Sequence, residues 1–556
     1  MSRARGRFVH PVLLLVALTL LALLPFVGKA FHIDDPLFVW TAKQIQAEPL
    51  DPYGFPVNWY GTTMRMADVT KNPPLASYVI AAVAAPFGFR EVPLHLAFLI
   101  PALAVVLLTY RLGRRFTARP LLAAMIVLTT PVFLVSSTSV MCDVSMLALW
   151  LAAVWLWVSG LDRSSRGRLL AAAIATSLAV LFKYFALALV PLLAVYTQRR
   201  TVRLGAAWPL LIPVAVAAGY HVLTHELYGR GLLLDAFSYS TAWRFATASK
   251  TSMAGPAFTG GCVGVALLIA FVGLRWKSAV LWPLVAVAIT IVGVYAGERA
   301  WPGVAESGRL NLGIHVGIFY AMGVGVIALV VADVSRRRGD ADSFLLMLWV
   351  FGTYLFAGVF NWSTNGRSVL PMVPAVALLV ARRFPPFHQR AIQTRDRVSV
   401  AILAVAGLLG WWVAWSDVQH ANGARLAAQM IRGRTVNAPG RLLFEGHWGF
   451  QYYLHELGGA AFDRNTPLHP GDVLVLPENN TNVDTEPQPW MRLLDVVEVP
   501  AGAGVAVHRL ERGAGFYADA FGPSPYVFGP VPPDRYRIYE IFDPSASPRH
   551  EGSAAP

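Results

Sequence analysis

The sequence predicts an all-α polytopic membrane protein of about thirteen transmembrane helices, followed by a small C-terminal α/β domain on the extracytoplasmic side. Three observations lead there. Of the 556 residues, 56% are hydrophobic and only 14% are charged, where an average soluble domain carries about 25% charge. Apolar runs of the roughly twenty residues that span a bilayer recur from Pro11 to Trp415 and then stop, so 1–416 reads as a transmembrane domain and 417–556 as a separate outer one. The basic residues concentrate in short loops between those runs, the positive-inside pattern, so the formal net charge of +14 reports membrane topology and no nucleic-acid partner is expected.

The first run, 11–27, follows Arg3, Arg5 and Arg7 and has no clean small-x-small cleavage site, so it reads as a retained helix with its N-terminus inside. The basic loops 111–119, 163–168, 199–203, 275–277, 336–338 and 382–397 then belong to the cytoplasmic face, and the chain goes out and back between each consecutive pair. The stretch 169–196 has basic flanks on both sides yet is short for two full spans. Parity therefore demands a tight hairpin or a re-entrant pair that turns near Lys183. An odd number of crossings sends the C-terminal domain outside. The polar outer loop 31–90, the segments 136–143, 224–256, 297–309 and 361–367, and the turn at Lys183 all share that outer face.

Beyond Trp415, strand-like runs at 441–445 and 472–476 flank an expected helix over 450–457, and Glu445-Gly446-His447-Trp448 at a strand end is a candidate contact for a sugar or acceptor. The Pro- and Gly-rich stretch from Gly513 onward reads as loop and then disordered tail. Cys142 and Cys262 read as isolated thiols. The chain shows neither a Cys/His metal spacing nor a Gly-rich nucleotide loop, which argues against an ATP-driven engine.

The chemistry-bearing candidates are few. Asp34 and Asp35, in Phe31-His32-Ile33-Asp34-Asp35-Pro36, place two carboxylates at the membrane surface, suited to taking a proton from a nucleophile. The same residues also suit a helix start, with Asp35-Pro36 opening the segment 37–45, and His32 beside them leaves a divalent metal open. Lys71, in Val69-Thr70-Lys71-Asn72-Pro73-Pro74-Leu75, is placed to snorkel to headgroups beside an interfacial helix, with Asp68 as a candidate partner. Asp143 closes Ser136-Ser137-Thr138-Ser139-Val140-Met141-Cys142-Asp143 at the outer start of a span, where a carboxylate also suits the helix dipole. Lys183 is the only basic residue in its apolar stretch, and an ionisable group at such depth is functional by default. Arg367, after the turn Asn365-Gly366, offers a planar fork that matches phosphate, or an interfacial anchor.

These motifs, and the architecture of residues 1–416, resemble the polytopic C-type glycosyltransferases, in particular the family 39-like group that includes protein O-mannosyltransferases and lipid A aminoarabinose transferases. Shared features are an inside N-terminus, an acidic pair opening a large first outer loop, a Pro-Pro-Leu step and an outer C-terminal domain. The resemblance implies an inverting transferase of the cytoplasmic (inner) membrane. It would move a sugar from a polyprenyl phosphate donor to a lipid, glycan or protein acceptor on the outer face. Asp34 or Asp35 would be the base, with Asp34 favoured, and Asp143 a second acidic contributor. Lys71, Lys183 and Arg367 would meet the donor phosphate. Three positions depart from the pattern. Asn72 stands where relatives commonly carry lysine directly before Pro-Pro-Leu, Phe182-Lys183-Tyr184 replaces a Thr-Lys-Gly version, and Ser368 replaces an aromatic after Gly-Arg. A polytopic transporter or lipid flippase is the alternative class; such proteins tend to show internal repeats, and none is evident.

Overall fold

Pro11–Leu23 (α1) is apolar throughout and opens with proline at its first turn, where the missing N–H would have no helical partner anyway. The computed structural model describes residues 10–201, 204–242, 254–271, 303–385 and 394–542, together with 284, 287, 288 and 291. Six helical stretches in it are long and apolar enough to cross a membrane, and Pro11–Phe26 is among the shorter apolar ones. The protein is thus multi-pass and mostly helical. The expected count of about thirteen includes a run within 272–302 that lies outside the described residues, as does the basic loop 275–277.

Ion pairs tie the expected cytoplasmic loops to one face. Arg115 reaches Asp162 and Asp342 at 2.8 Å each, and Arg200 reaches Asp162 at 2.9 Å. Arg382 pairs with Asp333 at 2.7 Å and Asp340 at 3.1 Å, while Arg119 meets Asp396 at 3.1 Å. Cys142–Asp162 (α3) and Arg166–Phe182 (α4) follow each other through this face. Helix α4 ends at Phe182, Lys183 is extended (φ −156°, ψ 126°), and helical structure resumes at Tyr184. Both ends of 166–201 therefore sit at the Asp162 face and Lys183 at the far side, which is the hairpin parity demanded.

On that far side the first outer loop builds Asp35–Ala47 (α2), the short hairpin of Pro56–Asn58 (β1) and Thr63–Arg65 (β2), and the helix Leu75–Phe87. Later in the chain Leu232–Ala242 (α5) returns to the same side. Thr394–Thr435 (α6) runs unbroken for 42 residues, about 63 Å at 1.5 Å per residue, so it is long enough to cross a membrane and still continue into the C-terminal domain, the one expected outside. The boundary expected at 416/417 thus falls inside one helix. No break marks it, because Ala424, Ala427, Ala428 and Ile431 on the same helix pack the outer domain's core against Phe444, Phe450, Val475 and Val497.

That outer domain holds Leu442–Phe444 (β3), Trp448–Glu456 (α7), Ala460–Ala461 (β4), Val473–Pro477 (β5), Met491–Val499 (β6) and Asp534–Ile541 (β7). The sheet order is β4-β3-β5-β7-β6, parallel through β4, β3 and β5 and antiparallel where β7 joins β5 and β6. The expectation of loop and disorder from Gly513 onward needs correction. Residues 505–528 fold back onto the membrane domain: Gly366 N donates to Phe516 O (2.7 Å), Asp519 N to Thr364 O (3.0 Å) and Tyr526 Oη to Gly261 O (2.9 Å). The backbone of this glycine-rich strap is satisfied by segments far away in sequence, so local composition could not reveal its order. Residues 543–556 lie outside the described set.

Candidate functional site

Asp34 reaches its position through a strained turn. Ile33, a β-branched residue, is held at φ +49°, a conformation that costs roughly 1–3 kcal/mol and persists only where surroundings enforce it. Asp35 supplies the enforcement. It is fully buried, its Oδ2 accepts from His32 N (2.9 Å), its Oδ1 accepts from Val140 N (3.0 Å), and its own N–H closes the turn on His32 O (3.0 Å). Asp35 thus clamps the loop to the 136–140 segment and turns Asp34 outward. The pair does open α2, which starts at Asp35 with proline in its first turn, as the helix-start reading expects, but neither carboxylate caps it through its side chain; one clamps the loop and the other is a presented acid. The catalytic role expected as an alternative for Asp35 finds no support in its position, which does not line the cavity described next.

A cavity of about 710 Å³ opens beside Asp34, and Lys71, Asp143, Lys183 and Arg367 all line it. The expected acid and phosphate-binding residues other than Asp35 are therefore together in space. Arg367 Nη1 meets Asp34 Oδ2 at 2.8 Å, Lys183 Nζ meets Asp143 Oδ1 at 2.5 Å, and Lys71 Nζ meets Asp235 Oδ2 at 2.7 Å. Asp34 engages only one guanidinium nitrogen. Arg367 Nε is buried with no hydrogen-bond partner. Asn365 caps the short turn that carries Arg367 by accepting from Ser368 N (2.9 Å), which fixes the arginine's origin.

One side-chain pairing differs from expectation. Lys71 takes the backbone carbonyl of Asp68 (3.1 Å), whereas the Asp68 carboxylate pairs with Arg230 (2.5 Å) and Arg65 (3.4 Å). Asp143 sits in the first turn of α3, where a carboxylate suits the dipole, and it also holds Lys183. His32 faces His420 (ring centroids 4.8 Å) and Tyr517 (5.5 Å). Among the described residues no group of three or more His, Cys, Asp or Glu could hold a metal ion, so the metal left open beside His32 has no fitting donor set there. Cys142 and Cys262 are both buried free thiols.

The outer domain completes the cavity. His447, Trp448 and Asn482 line it from the sheet side, and His508, Tyr517 and Phe521 from the strap. The Glu445-Gly446-His447-Trp448 element expected at a strand end is thus at the cavity wall. The His447 ring stacks on Trp59 at 4.7 Å, and burial lowers its imidazole to about 3, so it stays neutral at physiological pH. The Tyr517 ring lies 5.7 Å from the Arg367 guanidinium, and its hydroxyl donates to Asp417 (2.9 Å). Asp417 in turn pairs with Lys29 at 2.5 Å, both fully buried. Sequence reading missed Asp235, Tyr517, His508 and the Lys29–Asp417 pair. Lys29 and Asp417, charges at the edges of apolar runs, were the available signal.

The family model described as dolichyl-phosphate-mannose-protein mannosyltransferase matches residues 71–223, the part that carries Lys71, Asp143 and Lys183. The fold is similar to that of ArnT from Cupriavidus metallidurans, solved bound to undecaprenyl phosphate, with TM-score 0.51 and 14% identity over 84% of this chain and 93% of that one. The oligosaccharyltransferase of Archaeoglobus fulgidus, in a complex with Zn and sulfate, matches with TM-score 0.49 and 12% identity over 82% of this chain and 62% of that one. No curated protein matches the chain. The resemblance to the polytopic C-type glycosyltransferases drawn from the sequence is thus met both by a family model and by a shared fold.

Proposed function

We propose that this protein is an inverting glycosyltransferase that moves a sugar from a polyprenyl phosphate carrier to a lipid, glycan or protein acceptor at the outer face of the cytoplasmic membrane. The observation that carries this reading is one cavity holding a presented carboxylate, Asp34, beside Arg367, Lys183 and Lys71. Support also comes from the fold shared with ArnT, a protein solved with undecaprenyl phosphate.

In this reading the donor phosphate sits against the guanidinium of Arg367 and the ammonium of Lys183, which Asp143 orients. The acceptor nucleophile enters on the Asp34 side and attacks the anomeric carbon from the face opposite the phosphate. The bond from carbon to phosphate oxygen breaks, its electron pair stays on the phosphate, and the acceptor proton passes to Asp34. Charge develops on the leaving phosphate, and fixed cations in a partly water-excluded cavity stabilise it more than water does. Tyr517 and His508 transfer no proton in this scheme; both wall the site, and the Tyr517 ring lies beside the Arg367 guanidinium.

The test is transfer from a polyprenyl phosphate sugar by purified protein, comparing wild type with Asp34→Asn. Loss of a general base typically lowers the rate ~10²- to 10⁴-fold, with the folded yield unchanged because Asp34 is part-exposed and holds no buried amide. Wild-type rates in Asp34→Asn would remove it as the base.

A further inference from the structure

A second cavity, of about 560 Å³, lies on the outer surface where α2, the β1–β2 hairpin and the edge strand β4 meet. It is open to solvent and belongs to both domains. We propose that it is a carbohydrate-binding groove, which takes neutral sugar residues of a glycan acceptor beyond the residue that is modified. The binding claim stands on the groove itself. Its role as an acceptor subsite rests on the glycosyltransferase reading.

The lining is chemically selective. Trp40, Phe55 and His455 supply rings, and Gln44, Asn58 and Thr63 supply neutral amide and hydroxyl groups. The groove's cation is already occupied: Lys43 Nζ pairs with Glu456 at 2.8 Å and lies 5.3 Å from the Tyr452 ring and 5.6 Å from that of Phe89. His455 Nδ1 is bonded to Gly459 O (3.1 Å), and burial lowers its imidazole, so it adds no charge. Asn58 gives its amide nitrogen to Phe462 O (3.0 Å), which fixes the side chain and leaves the amide oxygen as an acceptor. Rings beside neutral donors and acceptors, without a free charge, match a sugar. Its C–H face needs an apolar partner and its hydroxyls need neutral ones. An anionic lipid headgroup or an acidic peptide has no cation to meet.

Position links the groove to the reaction. Trp40 packs edge-on against Trp59 at 6.3 Å, and Trp59 lines the Asp34 cavity on its other side. Along α2, Leu37, Phe38 and Thr41 face that cavity, whereas Trp40, Lys43 and Gln44 face the groove. Trp40 lies six residues past Asp34, about 9 Å of helical rise. A glycan end held at Asp34 can extend over the Trp40–Trp59 wall into the groove.

The experiment is titration of the full chain in nanodiscs with neutral linear hexasaccharides (α-1,6-mannohexaose, maltohexaose, cellohexaose and an arabinohexaose), read by tryptophan fluorescence and by saturation-transfer NMR. At least one should bind, with a hyaluronan hexasaccharide binding more weakly. Trp40→Ala should weaken that binding about tenfold, and Trp40→Phe should restore most of it. Gln44→Ala combined with Thr63→Ala, surface changes that leave the fold intact, should weaken it severalfold. Binding by none of the panel, preference for the anionic probe, or affinity indifferent to Trp40→Ala and to the Gln44/Thr63 pair would overturn the groove. Hexasaccharide binding without any binding of undecaprenyl phosphate would instead overturn the transferase reading and leave the groove standing.

Discussion

At the residue scale, adjacent aspartates perform opposite tasks. Asp35 is buried with both carboxylate oxygens occupied by backbone N–H groups, while Asp34 is 28% exposed in its side chain and faces Arg367. An amide at 35 has one acceptor oxygen for two donors and turns its own NH₂ toward one of them. Asp35→Asn is therefore expected to destabilise the protein by about 1–3 kcal/mol, the cost of a buried unsatisfied group, and to lower the folded yield. Thermal unfolding in detergent checks this, with Asp34→Asn as the stable comparison; equal stability of the two variants would remove the clamp. The sequence exposed the pair and the types of its neighbours, since carboxylates at the edge of an apolar run are rare. It did not expose which of the two is turned outward. That depends on Val140, a residue 105 positions away whose N–H Asp35 accepts.

At the element scale, the same contrast separates what local pattern encodes from what it does not. Hydrophobic length and basic flanks give the spans, and the helix break at Lys183 follows from flanking charge alone. The unbroken α6 and the ordered strap 505–528 could not be read this way, because their order comes from partners elsewhere in the chain. The junction between the α1–α2 connection, α6 and the strap is held by Lys29, Asp417 and Tyr517. Removing one partner of a fully buried pair leaves an uncompensated charge, at a cost of about 3–5 kcal/mol, whereas replacing both with apolar groups is often near neutral. Asp417→Asn is expected to lose that stability, and the double variant Lys29→Met with Asp417→Leu to recover most of it. Unfolding midpoints for the single and double variants check this. Equal loss in both would assign the junction's stability to packing rather than to the charge pair.

At the scale of the whole molecule, charges sort onto two faces. The Arg115–Asp162–Arg200 and Arg382–Asp333 pairs mark one, and the Asp34 cavity marks the other. On the positive-inside pattern the first is cytoplasmic. Reporter fusions at Arg338 and after residue 542 should then report opposite sides; a report of the same side would undo the common outer face of the site.

In the proposed reaction the cavity binds a lipid-linked phosphate through Arg367 beside a carboxylate base. Undecaprenyl phosphate titrated into the full chain in nanodiscs, for wild type, Arg367→Lys and Asp34→Asn, tests it most directly. Arg367→Lys should bind about tenfold or more weakly, since the ammonium loses the planar fork. Asp34→Asn should bind as tightly as wild type or tighter, because a negative charge beside the phosphate is removed and Arg367 is released. Equal affinity across the three proteins, or no binding by any of them, would contradict the account.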